Sequence, residues 1–444
     1  MPRFLLATFG SLGDLHPIFA LALELRRRGH TAVVATSEPY RARVSSLGLP
    51  FVPLRPDLSL DNPELVRRVM DGPRGSEYLL RRLVYPNLSD MHADLDRAAA
   101  ETGADVLVGA ELACAVPLVA ARRHLPWAYV ALSPISLLSV HDPSVLPGPR
   151  VIGWLQSLGP RANRLVLALA RAASWSWWAP VRSLRRELDL PPGDSPLFAG
   201  KYSPHLNLAL YSPHFQPPPP DWPAATVQPG FCFHDENDPT APASPAHGAV
   251  SAPFALPAPV AAFLAAGPAP IVFTLGSAAV QLAGDFYPFA AQAAASLGRR
   301  SLLLLGRNSP PPGLPASIMA WDYLPYAHLF PHAAAIVHQG GIGTTAQALR
   351  AGRPMLIVPF AHDQFDNAAR IVRLGLGRTL PRAEARAAPL AAALSALLAD
   401  SALAARVRTI GGLVRAEAAP ARAADALERL VRSTPPTPAS ARPR

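Results

Sequence analysis

Through the first 130 residues, short apolar runs alternate with stretches of helical periodicity, and glycines mark the changes between them. Phe4 to Thr8 has the pattern of a buried strand and ends in the turn Gly10-Ser-Leu-Gly-Asp14. From Pro17 to Arg28 apolar side chains recur at Ile18, Leu21, Ala22 and Leu25, one face of a helix, with Pro17 suited to a first turn and Gly29 to a C-terminal cap. Thr31 to Ala35 and Phe51 to Pro53 read as strands on either side of a helix over Pro39 to Leu47. Asp105 to Gly109 and Trp127 to Ala131 are further apolar runs, joined by a helical Leu112 to Arg123. Alternation of this kind predicts an open parallel sheet.

The pattern turns helical from Val151 to Leu190, then proline takes over in Gln216-Pro-Pro-Pro-Pro220 and from Pro239 to Pro259. Alternation restarts at Ile271 to Leu275, which ends in Gly276-Ser277. It continues through Phe286 to Leu297, Ser301 to Leu305, Ala334 to His338, Thr344 to Ala351, Met355 to Phe360 and Asp366 to Leu374. Helical segments fill Arg382 to Arg432. The chain therefore reads as two α/β halves joined by a proline-rich link, with no solenoid-type repeat.

Composition sharpens this picture in three places. Proline accounts for 52 of the 444 residues, about twice the usual ~5%, and much of it falls between Pro213 and Pro270, where it marks the join. Two cysteines, Cys114 and Cys232, exclude a disulfide framework and a cysteine-based zinc site, and fit a reducing compartment. The net charge of +10 is carried by arginine, Lys201 being the only lysine. No stretch interleaves basic and aromatic residues as a nucleic-acid module does, and Arg26-Arg27-Arg28, Arg81-Arg82 and Arg185-Arg186 read as solvated helix faces. The apolar stretch Leu165 to Val181 contains Arg171 and Pro180 and falls short of a membrane span. A cytoplasmic protein is expected, with contact at a membrane surface left open.

Three loops carry candidate chemistry, each at the end of an expected strand. In Gly10-Ser11-Leu12-Gly13-Asp14-Leu15-His16-Pro17 the glycines allow close backbone approach to a ligand. Asp14 stands there either as a ligand-facing carboxylate or as a helix N-terminal cap. In His338-Gln-Gly-Gly-Ile-Gly-Thr-Thr345 the N–H groups of Gly341 to Thr345 and the hydroxyls of Thr344 and Thr345 could surround a phosphate, with His338 donating to the same anion. In Phe360-Ala-His-Asp-Gln-Phe-Asp-Asn367, Asp363 and Gln364 supply an acceptor and a mixed donor–acceptor suited to sugar hydroxyls.

Together these residues resemble the family-1 nucleotide-sugar-dependent glycosyltransferases, in the branch that includes bacterial rhamnolipid, sterol and antibiotic enzymes. The resemblance rests on Gly10-Ser-x-Gly-Asp-x-x-Pro17 with Arg28-Gly-His30. It rests more specifically on His338-x-Gly-Gly-x-Gly-Thr with Gly352-x-Pro354, Pro359 and Asp363-Gln364. It implies the GT-B fold, two Rossmann-like domains facing across a cleft. The expected boundaries are an acceptor domain over 1–215, a linker over 216–259, and a donor domain over 260–415. A returning C-terminal helix over 416–432 would pack on the first domain, and 433–444 would form a disordered tail.

The same resemblance implies roles. Asp14 matches the catalytic acidic residue, with Ser11 on the donor side; His338 matches the histidine touching the donor diphosphate; and Gly341, Gly343 and Thr344 match the phosphate loop. Gly276 and Ser277 match a second phosphate turn, Tyr323 and Leu324 the segment packing on the base, and Asp363 and Gln364 the pair holding the donor sugar. Acceptor contact falls to His16, Trp175 and Trp178, with His16 a rival base and the tryptophans, as a helical aromatic stripe, more often core than pocket. The plant-type histidine–aspartate dyad is absent: Ala110 stands near the partner position, and Glu111 is expected to face the other way on its strand.

The implied reaction is an inverting, metal-independent transfer of a hexose or deoxyhexose from a UDP- or dTDP-sugar to a hydroxyl of a small lipophilic acceptor, without a cofactor. Positive potential around the leaving diphosphate would come from helix termini, N–H groups and His338. The other readings are a catalytically silent homologue acting as a partner and a GT-B epimerase. A dehydrogenase fits least, because Gly-x-Gly-x-x-Gly is missing.

Overall fold

The computed structural model describes residues 1–57, 62–147, 150–235 and 255–433. They form two compact units: the described residues of Met1–Asn62, Pro73–His234 and Glu417–Arg444, and those of Pro63–Gly72 and Asp235–Ala416.

The first unit is built on seven strands: β1 (Arg3–Ala7), β2 (Thr31–Thr36), β3 (Phe51–Pro53), β4 (Val106–Ala110), β5 (Trp127–Ala131), β6 (Leu206–Ala209) and β7 (Thr226–Val227). Their order is β3-β2-β1-β4-β5-β6-β7, and every pairing is parallel. The direction of winding reverses between β1 and β4, which opens a crevice at the carboxyl ends of those two strands. Phe4, Leu6, Val34, Val108 and Val130 lie in one apolar core with Leu15, Ile18 and Phe19 of the helix Leu12–Arg27. That helix starts five residues before Pro17, because Ser11 and Asp14 form a capping box at its N-terminus. Pro17 is thus inside the helix, where it lacks the amide that would bond to Gly13.

The helix Ala419–Ser433 completes this core. Ala419, Ala423, Leu427 and Leu430 pack into it, and Arg28 donates to Asp425 at 2.6 Å while His30 Nε2 lies 2.9 Å from Glu428 Oε1. Arg28 is therefore not on a solvated face. Arg26 is exposed, as expected, and donates to the carbonyls of Leu47 and Gly48, at 2.9 and 2.8 Å.

Two boundaries differ from expectation. Residues 216–234 are not a linker: they supply β7, and Phe231 and Cys232 are buried in the first unit. Residues 236–254 and the expected tail from 434 lie outside the described residues. The segment Pro63–Gly72 groups with the second unit, where Gly72 lies so close to the Phe360 carbonyl that a Cβ would sit 3.1 Å from its oxygen.

The second unit has six strands: β8 (Ile271–Thr274), β9 (Ser301–Leu304), β10 (Ile318–Trp321), β11 (Ala335–His338), β12 (Met355–Ile357) and β13 (Gly377–Thr379). The order β10-β9-β8-β11-β12-β13, again all parallel, is that of the Rossmann sheet. Its switch point lies between β8 and β11, so the turns at Gly276 and at Gly340 flank one crevice.

Candidate active site

In the first unit the site is built around the turn after β1. Gly10 has φ +125°, and a Cβ there would sit 2.3 Å from Asp14 Oδ2, so only glycine closes this turn. The Ser11 N–H donates to Asp14 Oδ2 at 2.7 Å and the Ser11 hydroxyl to the same oxygen at 3.1 Å. Oδ1 is the oxygen that Ser11 leaves unengaged. Both expected roles thus meet in one side chain: Asp14 caps the helix through Oδ2 and keeps a second oxygen for a ligand. Burial pushes its carboxyl up to about 6; Ser11's hydrogen bonds oppose the shift and the charge of Glu111 adds to it. Tyr40, which the sequence did not single out, fixes the turn from outside by donating to the Gly10 carbonyl at 2.8 Å.

Glu111, which follows β4, lies within electrostatic reach of Asp14. Parallel pairing of β1 with β4 sets Ala7 beside Gly109, which carries Glu111 to the level of the Gly10 turn. Glu111 Oε1 is 2.6 Å from Lys201 Nζ, and Oε2 accepts from the Ser136 hydroxyl. Although burial alone would raise the Glu111 carboxyl, the charge and hydrogen bond of Lys201 hold it below its ordinary range. Lys201 itself is buried, close to the rings of Tyr129 and Tyr202 at 6.0 and 5.9 Å.

His16 packs in a ring cluster with Phe19 and His234, at centroid separations of 6.3 and 5.6 Å. Trp178 is buried in the interior, whereas Trp175 is exposed. The two rings meet edge to face at 5.2 Å, with the Arg182 guanidinium over both. An open groove of about 310 Å³ lies elsewhere in this unit, between Leu138, Arg164, Leu167, Ala168, Phe198 and Tyr202, and neither tryptophan lines it.

In the second unit, the two glycine turns are linked by a residue the sequence reading passed over. Gly276 has φ +67°, and a Cβ there would lie 2.2 Å from Gln339 Nε2. A Cβ at Gly341 would lie 2.8 Å from the same atom, and Gln339 Nε2 reaches the Thr344 hydroxyl at 3.4 Å. Ser277 stands beside Gly276 in the short helix Gly276–Ala279. Gly341 is the N-cap of the helix Ile342–Ala351, so the backbone of Gly343 and Thr344 lies in its first turn. Thr345 is not available to a phosphate, because its hydroxyl donates back to the Gly341 carbonyl at 3.0 Å.

His338 is fully buried at the end of β11. Its Nδ1 accepts from the Gly340 N–H at 3.0 Å, which places the ring proton on Nε2. Nε2 is buried and has no hydrogen-bond partner among the described residues. Burial holds the pKa down to about 3. His338 is therefore a neutral donor and not a source of positive charge, contrary to the expectation from sequence.

Asp363 is the N-cap of the helix Gln364–Arg373, and Asn367 Nδ2 donates to its Oδ2 at 2.8 Å and to the Gly340 carbonyl at 2.9 Å. Asn367 thus ties the start of this helix to the Gly340 turn. Gln364 Oε1 accepts from the N–H groups of Phe360 and Ala361, at 2.8 and 3.1 Å. Only its amide N–H is left for a ligand, so the expected mixed donor–acceptor is a donor alone. The Leu324 side chain is buried in the core, leaving only backbone to meet a base; Tyr323 is half-buried. Tyr326 stacks on Phe330 at 4.4 Å, and its hydroxyl lies 2.8 Å from Thr274 Oγ1.

Two parallel-sheet units with glycine turns at both switch points form the framework of a GT-B glycosyltransferase. The model of the erythromycin biosynthesis protein CIII-like C-terminal domain matches residues 307–430. Over 423 residues the chain is 34% identical to the O-mycaminosyltylonolide 6-deoxyallosyltransferase of Streptomyces fradiae, with 94% of each chain covered. It is 32% identical to glycosyltransferase GtfC of Amycolatopsis orientalis over 430 residues, 93% of this chain and 96% of that one. The fold is shared with the glycosyltransferase of kitacinnamycin at a TM-score of 0.70 and 22% identity, covering 97% of this chain and 100% of that one. The chain belongs to the glycosyltransferases of antibiotic and other natural-product pathways, and it is a sugar-transferring enzyme.

Proposed function

We propose that the enzyme transfers a hexose or deoxyhexose, with inversion at the anomeric carbon and without a metal, from a dTDP- or UDP-sugar to a hydroxyl of a lipophilic natural-product acceptor. The acceptor oxygen attacks the anomeric carbon as the bond from that carbon to the diphosphate oxygen breaks. The hydroxyl proton goes to Asp14 and the nucleoside diphosphate departs. A carboxyl raised to about 6 is a stronger base than an ordinary one and is still ionised at neutral pH. The relative from Streptomyces fradiae is named for moving a 6-deoxyhexose to a substrate that already bears a sugar, which supports a deoxyhexose and a bulky, partly glycosylated acceptor.

One observation carries the donor assignment. His338 presents a buried, unpartnered Nε2–H beside the N-terminus of a ten-residue helix, and a departing diphosphate would satisfy it. Asp363 and the Gln364 amide would hold the sugar hydroxyls. Titration calorimetry with dTDP and with UDP tests this reading: at least one binds, and more weakly to His338→Ala. Failure of both to bind would overturn it. The configuration of the product anomeric centre, read by NMR from a donor of known configuration, tests inversion.

A further inference from the structure

Twelve large apolar side chains are exposed among the described residues, and nine of them fall between Val145 and Trp175. Trp154 is 61% exposed, Leu158 57%, and Leu165 and Leu169 59% each. Trp154 projects from the helix Arg150–Ser157 and Leu165 and Leu169 from the helix Pro160–Ala173, while Leu158 stands in the turn between them beside Gly159, which has φ +96°. The hairpin is held to the unit by Asn163, the one buried residue of its second helix, whose Nδ2 donates to the Val140 carbonyl at 2.7 Å. Arg161, Leu165 and Leu169 recur every four residues and so form one stripe. None of the three lines the groove of about 310 Å³, which takes Arg164, Leu167 and Ala168 from a different face. The apolar stripe is therefore separate from that groove.

The charge on the two helices themselves has one sign, although Arg171 is paired with Asp194 outside them. From Pro143 to Arg186 there are seven arginines and no aspartate or glutamate. Exposed patches of this apolar size on a soluble domain mark interaction surfaces. A second copy of the chain fits poorly, because a two-fold contact through the stripe would set Arg161 against its own counterpart with no carboxylate on either helix to answer it. Large apolar and tryptophan side chains ringed by arginine match the face that lies in the boundary layer of a negatively charged bilayer. We infer that this helical hairpin docks the enzyme on an anionic lipid surface, Trp154, Leu158, Leu165 and Leu169 entering the acyl boundary and Arg161 contacting lipid phosphates.

The test is co-sedimentation of the full chain with vesicles of phosphatidylcholine alone or with about one-third phosphatidylglycerol. The wild type is expected to bind the anionic vesicles and not the neutral ones, and to lose binding as salt rises from about 0.05 to about 0.3 M. Leu165→Ser/Leu169→Ser and Arg161→Glu each weaken vesicle binding about tenfold. All three residues are at the surface, so circular dichroism should show an unchanged fold. Transfer to a water-soluble acceptor should also be unchanged, which separates this inference from the proposed reaction. No binding to anionic vesicles, or equal binding by the double variant, would overturn it. So would a wild-type dimer that the double variant dissolves, or loss of soluble-acceptor turnover in that variant.

Discussion

Lys201 Nζ lies 2.6 Å from Glu111 Oε1, joining the chain's one lysine to a carboxylate at the end of β4, beside the strand that leads to Asp14. The lysine is 6% exposed and the glutamate 38%, so losing the cation strands a charge that is only partly hydrated. Lys201→Met is expected to cost about 3 kcal/mol, the low end for breaking a buried pair, as read by urea denaturation. Lys201→Met/Glu111→Gln should recover much of that loss.

Asp14→Asn preserves an acceptor oxygen for Ser11 but removes the base. Turnover should fall about 10²–10⁴-fold. In the wild type, kcat/KM should lose activity as pH falls through about 6, the value to which burial raises this carboxyl. Stability moves the opposite way. Between the ordinary 3.8 and about 6 the folded protein holds a proton that the unfolded chain has released, so this contribution is lost as pH rises through about 6. Thermal melts at pH 7 should therefore show Asp14→Asn no less stable than wild type.

His338→Ala removes a neutral donor from a charged acceptor, a loss of about 1.5–3 kcal/mol, so nucleoside diphosphate binding should weaken about tenfold to a hundredfold. With the ring's pKa down at about 3, the ratio of wild-type to variant affinity should stay constant from about pH 5.5 to about 8.5. A ratio that titrates near the ordinary histidine range would show that the ring acts as a cation.

Gly276→Ala meets both a positive φ and the Gln339 amide. The backbone strain alone is about 1–2 kcal/mol, and the melting temperature and nucleotide affinity should both fall. Gly276→Ala/Gln339→Ala relieves the collision and leaves the φ strain, so calorimetry and thermal melts should show partial recovery.

Excess EDTA should leave the initial rate within about twofold of the untreated enzyme, because in the proposed reaction the leaving group would be met by N–H donors and helix termini. Metal-dependent restoration of a lost rate would contradict this.

Strands such as Phe4 to Thr8 and Ala334 to His338 were legible because they are apolar up to their last residue and are followed by glycine turns. β6 was not, since Asn207 interrupts it; that amide is buried and satisfied locally, accepting from the Ser203 N–H and donating to its carbonyl. β13 is three residues with an exposed arginine and threonine, too short for any period to show. The glycine loops marked the candidate site, whereas Lys201, Gln339 and Asn367 meet groups in other segments: Glu111, the Gly276 turn and the Gly340 carbonyl. Nothing in their local sequence marks them. Gln364 was read by its chemistry, and only the loop geometry shows that its carbonyl oxygen is already engaged by Phe360 and Ala361.

The helix Ala419–Ser433 carries the last apolar layer over Ile18, Leu21 and Leu25. The unit that carries Asp14 must therefore wait for its own core until the second unit has been made, since those side chains stay uncovered until Ala419–Ser433 follows it off the ribosome. A premature stop shortly before Ala419 should spoil the half that carries Asp14, although every residue of that half's sheet has been synthesised.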